Sequence, residues 1–262
     1  MRVSVLMAVY NGASSVRAAI ASIAAQTYED WELIIVDDGS TDSTLSTLEI
    51  IAATDPRIHI LHNTRNRGLA ASLNTARKYA HGDLLARMDA DDVSHPERFQ
   101  CQVQFMATHP EVDVLGTGLE MVSAAGTTLG CLLLPERHEE LSRRIYRENP
   151  FAHPSVLMRP SFFDTLGGYD GRLKRAEDVD LWLRGYRQFE YHNLQMPLIK
   201  YCVRSTVSLR TIACYGYVLL RASLRERRFI SGVWYALRPA VAGVVLNLGL
   251  RSPIRKTRSK QL

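Results

Sequence analysis

Two hydrophobic periods take turns along the N-terminal third of the chain. Val3–Val9 is an apolar, β-rich run of strand length that stops at the turn dipeptide Asn11-Gly12, and residues 16–25 then repeat apolar positions at helical spacing. Residues 31–36 form a second apolar run that ends in Asp37-Asp38-Gly39-Ser40, after which Thr41 or Asp42 is placed to cap a helix reaching about residue 53. A short third strand is predicted over 58–61, followed by Asn66-Arg67-Gly68 and a helix over 69–80. Gly82 breaks that helix, and a fourth strand over 83–88 runs into Asp89-Ala90-Asp91-Asp92. Strands alternating with helices of this length predict an α/β fold with a doubly wound, mostly parallel sheet covered on both faces. In such a sheet ligands collect at the carboxyl ends of the strands, and every polar cluster named above follows a strand.

Beyond Pro96 the alternation loosens. We expect a helix to about residue 108, strands over 112–116, 119–122 and 128–134 with the last two as a hairpin around Gly126, and short strands mixed through 150–200 with a helix over 177–189. Residues 1–96 are thus expected to form a nucleotide-binding half, and residues 97–203 a smaller half against which an acceptor docks. Residues 207–228 and 229–250 both read as helical, giving 204–262 the character of a C-terminal appendage. The second of these segments carries Arg238 and Pro239 at its centre and is not a clean membrane span.

Charge sharpens this division. Of the net +5, residues 204–262 hold twelve Lys and Arg against the single acid Glu226, which leaves residues 1–203 at about −6. An acidic body argues against a nucleic-acid partner, whereas a basic, apolar tail is suited to an anionic membrane, with Arg251, Arg255, Lys256, Arg258 and Lys260 reaching lipid phosphates. A solvated helical face or an oligomer contact is the competing reading of the same tail. The four cysteines lie far apart with no CxxC pair, indicating neither a disulfide framework nor a zinc site, and the N-terminus lacks a signal-peptide cleavage pattern. A cytoplasmic enzyme, peripheral at the inner face of the plasma membrane, is the expectation.

Asp89 and Asp91 carry the strongest chemical signal. Carboxylates two apart in an extended chain point the same way and can converge on one hard cation, Mn²⁺ or Mg²⁺, that bridges the phosphates of a nucleotide diphosphate. A solvated, helix-capping acidic turn is the alternative. A carboxylate of Asp37-Asp38 is placed to accept the N3 hydrogen of a uracil ring, or to form an Asx turn before a capped helix. Arg65 and Arg67 suit a base or phosphate, or plain solvent. Glu177-Asp178 opens a helix in the acceptor half, where a general base must lie within about 3 Å of an attacking hydroxyl; a helix cap explains the pair as well. His153 can donate to a diphosphate or acceptor, or be a buried and satisfied histidine. Trp182 and Tyr169 can stack on a sugar or simply fill the core.

Five segments, VSVLMAVYNG, QTYEDWELIIVDDGSTDST, NRGLAASLN, ARMDADD and AEDVDLWLR, occur here in an order that resembles the inverting GT-A glycosyltransferases of family 2, which include many bacterial enzymes of surface-polysaccharide synthesis. The resemblance spans residues 3–201. It implies a GT-A fold, a UDP-sugar donor and a glycan acceptor that is lipid-linked in some relatives. It further implies that Ala8 and Tyr10 line the nucleoside pocket, that Asp38 with Asp37 beside it holds the base, and that Arg65, Asn66 and Gly68 contact the nucleotide. Asp89 would face the ribose and Asp91 the metal, with Asp178 as catalytic base beside Glu177 and with His153 as a secondary site residue. The QxxRW element of processive synthases is missing, so a single addition is expected. A nucleotidyltransferase would be expected to open with a glycine-rich phosphate loop, and a dinucleotide oxidoreductase with GxGxxG; AVYNGASS is neither. A non-catalytic protein of the same fold is disfavoured by the intact acids.

Overall fold

The computed structural model describes residues 1–123, 126–203 and 208–226. Four parallel strands open the chain: β1 Val3–Val9, β2 Trp31–Asp37, β3 Ile58–His62 and β4 Leu84–Arg87, connected by α1 Val16–Ala24, α2 Thr44–Ala52 and α3 Leu69–Arg77. Their order in the sheet is β3-β2-β1-β4. After β3 the chain returns past β2 and β1 to pair on the far side of β1, so the connections diverge between β1 and β4 and leave a crevice at the carboxyl ends of those strands. All seven residues of β2 are buried, as a parallel strand covered on both faces requires. Val3, Val5 and Met7 of β1 pack on one face with Ile20 of α1 and Phe99, while Leu6 packs on the other with Leu73 of α3 and Trp182.

The remaining elements are β5 Val93–Ser94, α4 Arg98–Thr108, β6 Val112–Val122, β7 Thr128–Leu132, α5 His138–Arg144, a 3-10 turn at His153–Ser155, β8 Leu157–Met158, α6 Pro160–Thr165, α7 Glu177–Gly185, β9 Glu190–Cys202 and α8 Leu209–Arg225. One sheet runs through both halves in the order β3-β2-β1-β4-β8-β6-β9-β5, with β7 hydrogen-bonded to β6. β8 is antiparallel to both β4 and β6, whereas β9 runs parallel to β6 over most of its length. The expected hairpin of β6 with β7 is present, but β6 is one strand where two were expected. Its register shifts at Gly118, opposite Pro197 of β9, a place where a proline lacking its N–H is tolerated. The helix expected to reach residue 189 ends at Gly185.

Trp182 is fully buried, 5.1 Å from Phe151, 5.9 Å from Phe162 and 6.4 Å from Tyr191 between ring centroids, so it packs the core and does not stack on a sugar. α8 is the first of the two helices expected in the tail. It buries Ile212, Val218, Leu219 and Ala222 and is pinned to α7 by charge: buried Asp180 bonds Arg184 at 2.7 Å and lies 3.7 Å from Arg225. Tyr186 donates to Glu226 at 2.6 Å beside this contact. Among the described residues no helix is long and apolar enough to cross a membrane. The expected segment 229–250 and the basic positions 251–260 lie outside the described residues.

Candidate active site

The loops after β1, β2 and β3 line one mouth, and the loop after β4 leaves the same edge of the sheet without lining it. Asp38 follows β2 and is 3% exposed; its carboxylate accepts from Asn63 Nδ2–H and from the backbone N–H groups of Arg67 and Gly68, each at 2.8 Å. A carboxylate offers about four acceptor positions, so these bonds fix the loop before α3 and leave one position on Oδ2. Asp37 is completely buried beneath the mouth. It accepts from the Ser40 N–H at 3.2 Å and pairs with His62 Nδ1 at 2.9 Å, tying the turn to β3. Gly39, at φ +74°, lets the two loops close: a Cβ there would stand 2.6 Å from the carbonyl carbon of Arg65.

A cleft of about 340 Å³ is walled on one side by Ala8, Tyr10, Asp38, Asn66 and Gly68. Tyr10 is 49% exposed, a large aromatic left over the opening. Five of the residues expected around a nucleotide therefore share one surface. Arg65 is exposed on the loop, and its backbone, against Gly39, is what the structure places there. The opposite wall comes from Lys174, Arg175, Ser208 and Arg210, which the sequence did not single out. Lys174 Nζ comes within 3.8 Å of the place a side chain at Gly68 would occupy, so the walls nearly touch.

The acidic cluster differs from its expected geometry. β4 ends at Arg87, and Asp89–Asp92 is a turn closed by the Asp92 N–H on the Asp89 carbonyl at 3.5 Å, not an extended run with alternate side chains aligned. The turn recruits a third acid. Carboxylate oxygens of Asp89, Asp91 and Asp92 lie within 4.8 Å of one another, Asp91 exposed and Asp92 2% exposed. Burial, then Asp89 and Asp91, push the Asp92 carboxyl up to about 8, and its Oδ2 is buried without a hydrogen-bond partner. Three clustered oxygen donors, one of them a buried carboxylate oxygen without a hydrogen-bond partner, fit a hard divalent cation.

Arg87 joins this cluster to the second one. Its guanidinium, 3% exposed, pairs with Asp89, and although burial opposes its charge, Asp89 holds its pKa above the usual range. Its field also reaches Asp92, Tyr169, His153, Glu177 and Asp178. Burial, then Asp178 and more weakly Asp89, raise Glu177 to about 7. His153 is held neutral well below its ordinary pKa, by burial and then by Arg87; its Nε2 bonds the Tyr169 hydroxyl at 2.7 Å and its Nδ1 lies 4.0 Å from Glu177. Tyr169 is itself 3% exposed, so its hydroxyl serves this chain and its ring face is not offered to a ligand. Asp178 is half-buried at the first turn of α7, where burial raises its pKa and the bond it accepts from Asn149 Nδ2–H at 2.8 Å opposes that rise. Ala176, a non-glycine at φ 60° and ψ 26°, turns the chain sharply into α7 and aims the pair at the mouth-side cluster. Asp92, Arg87, Asn149, Lys174 and Arg175 were missed by sequence reasoning; only Arg87 and Asp92, inside ARMDADD, stood within a recognised segment.

The chain is similar to known proteins. The model of glycosyl transferase family 2 matches residues 4–163. EpsE of Bacillus subtilis (strain 168), named as a glycosyltransferase, is 41% identical over 203 residues, covering 76% of this chain and 72% of the relative. The O-antigen biosynthesis glycosyltransferase WbnJ of Escherichia coli is 31% identical over 228 residues, covering 86% of this chain and 88% of that one. Among solved structures, S. aureus TarS 1-349 in complex with UDP-GlcNAc superposes with TM-score 0.72 at 20% identity, over 92% of this chain and 73% of that one. The mannosyltransferase PcManGT from Pyrobaculum calidifontis, in complex with GDP-Man and Mn²⁺, gives 0.66 at 19%, over 96% and 76%. The fold is of the GT-A type, and by the family model and the two relatives the chain belongs to glycosyltransferase family 2 and is a glycosyltransferase.

Proposed function

We propose that the protein transfers one sugar from a UDP-sugar to an acceptor hydroxyl with inversion, in the synthesis of a bacterial surface polysaccharide. The observation that carries this reading is that two carboxylate clusters, Asp89-Asp91-Asp92 and Glu177-Asp178, meet around the buried guanidinium of Arg87. Tyr10 and Ala8 would hold the nucleoside, Asp38 would accept from the base through its remaining Oδ2 position, and Asn66 and Gly68 would flank it. Asp89, Asp91 and Asp92 would hold Mn²⁺ or Mg²⁺, which when bound supplies Lewis acidity to the diphosphate. Arg87 keeps the acid cluster from repelling itself before the donor arrives.

Asp178, oriented by Asn149, would take the acceptor proton as the hydroxyl oxygen forms its bond to the anomeric carbon. The bond from that carbon to the phosphate oxygen breaks in the same step, the electron pair leaving with the nucleotide diphosphate. Neutral His153 and Tyr169 would hold Glu177 in place behind Asp178. Supporting the donor are the UDP-GlcNAc complex of TarS, and supporting the pathway the O-antigen role in the name of WbnJ. A peripheral place at an anionic membrane rests on the excess of twelve cations over one acid in residues 204–262. A panel of UDP-, GDP- and dTDP-sugars, with released nucleotide read by mass spectrometry in the presence of Mn²⁺ or chelator, tests the reading. Metal-dependent release from a UDP-sugar supports it, and release from no UDP-sugar overturns the donor assignment.

A further inference from the structure

A second cavity adjoins the donor cleft. It measures about 580 Å³, within the range of small-molecule sites, and lies between α8 and the 170–174 loop. Lys174 and Arg210 line both spaces, so the two adjoin, yet no residue of the β1, β2 or β4 loops reaches the second. Its lining sets Arg172, Lys174, Arg210 and Arg221 against one acid, Asp170. That acid is already committed. Arg172 grips it with two side-chain bonds of 2.8 Å and Arg221 with one of 2.7 Å, and these bonds hold the Asp170 carboxyl well below the usual carboxylate range. Among the described residues Lys174 and Arg210 have no acid partner.

We infer that this cavity receives the acceptor, and that the acceptor carries a phosphate or diphosphate group held by Lys174 and Arg210. The inference rests on the donor reading proposed above and extends it to the second substrate. Unpaired cations at the joint between two cavities attract an anion there, and an arginine offers a planar fork suited to phosphate oxygens. Lys174 and Arg210 stand where the donor cleft meets this cavity, and Arg172 and Arg221 carry the positive charge on into the second cavity alone. Reach is adequate as well: Lys174 and Asp178 are four residues apart, so their Cα atoms are separated by at most about 14 Å. Leu173 and Tyr217 give the cavity an apolar side beside its charge, and Tyr217 stands 57% exposed at the wall.

Two anions distinguish the possible sources of that phosphate: glucose 1-phosphate for a soluble sugar phosphate, and geranyl diphosphate for a lipid carrier, with glucose and geraniol as neutral controls. Each is titrated calorimetrically into the full-length protein saturated with UDP and Mg²⁺. Both anions are expected to bind with the donor cleft filled while the neutral controls do not. Tyr217→Glu, an exposed position outside the donor cleft, is expected to weaken both anions by about ten-fold or more while changing UDP affinity by less than about two-fold. Ala213→Asp is the second variant, with the same expected outcome. Tighter binding of geranyl diphosphate assigns a lipid-linked acceptor and the reverse order a soluble one; either upholds the anionic acceptor. Failure of both anions to bind below about 5 mM, or equal affinity in wild type and both variants, overturns it. If UDP itself does not bind, the donor reading fails, and the anion titrations with the two variants still decide this one.

Discussion

Asp92→Asn removes a charge that the folded chain holds at a disadvantage. Burial, then Asp89 and Asp91, raise this carboxyl from 3.8 to about 8, so between those values the folded state keeps a proton that the unfolded state has released. The contribution of this carboxyl to stability is therefore greatest below about pH 4 and falls as the pH rises toward 8. A displacement of that size corresponds to about 6 kcal/mol for an isolated group; because the three acids titrate together, about 2 kcal/mol is the working figure for Asp92 alone. Metal-free Asp92→Asn is expected to exceed wild type by that amount in urea unfolding at pH 8 and to match it near pH 4. A bound divalent cation reverses the preference, because it favours the ionised carboxylate. Wild type is then expected to release about 0.9 proton on taking up Mn²⁺ at pH 7 and about 0.1 at pH 9, from a carboxyl titrating near 8. Calorimetry in buffers of different ionisation enthalpy reads this difference, and Asp92→Asn is expected to lose it along with metal affinity. A metal-free variant less stable than wild type at pH 8, or uptake of Mn²⁺ at pH 7 without proton release, would refute the reasoning.

Three further substitutions probe other parts of the site. Asn149→Ala removes the bond that lowers the Asp178 pKa, so the acid limb of the pH–rate profile is expected to move to higher pH, with transfer at neutral pH down by about ten-fold and UDP affinity unchanged; an unmoved limb contradicts the role given to Asn149. Gly39→Ala forces a side chain into the Arg65 backbone at positive φ and is expected to lower stability by about 1–3 kcal/mol in urea unfolding and to weaken UDP binding, whereas an unchanged midpoint would mean the two loops part at no cost. Asp180→Ala strips the acid that binds α7 to α8 and leaves partly exposed arginines behind, with an expected loss of about 1–3 kcal/mol and faster proteolysis within α8; resistance equal to wild type would show that apolar burial alone holds the helix.

The first four strands were legible because parallel strands buried on both faces are continuous apolar runs, and Asn11-Gly12 and Asp37-Asp38-Gly39-Ser40 mark their ends without ambiguity. The acceptor half was less so. β9 is interrupted by Gln195, Met196 and Pro197, which face outward where its register with β6 shifts, so no single period of two survives along it. α5 and α6 are seven and six residues long, too short for a helical period to show. At the site, reading Asp89 and Asp91 as an extended pair concealed Asp92, since only the turn that brings the Asp92 N–H back to Asp89 aligns all three acids. Arg87 went unnoticed for a related reason: a cation at a strand end is ordinarily solvated, and its burial among six ionisable neighbours arises only once β4, β8 and α7 meet. Asn149, Lys174 and Arg175 sit in irregular segments whose positions follow from tertiary contacts and leave no local pattern.

Asp178→Asn tests the central claim most directly. The substitution keeps the shape of the side chain beside Asn149 and removes the carboxylate that would receive the acceptor proton. With a UDP-sugar, Mn²⁺ and a competent acceptor, the account predicts UDP affinity within about two-fold of wild type and transfer lowered by about 10²–10⁴-fold. Transfer at the wild-type rate, or donor binding lost to the same extent as transfer, would contradict it.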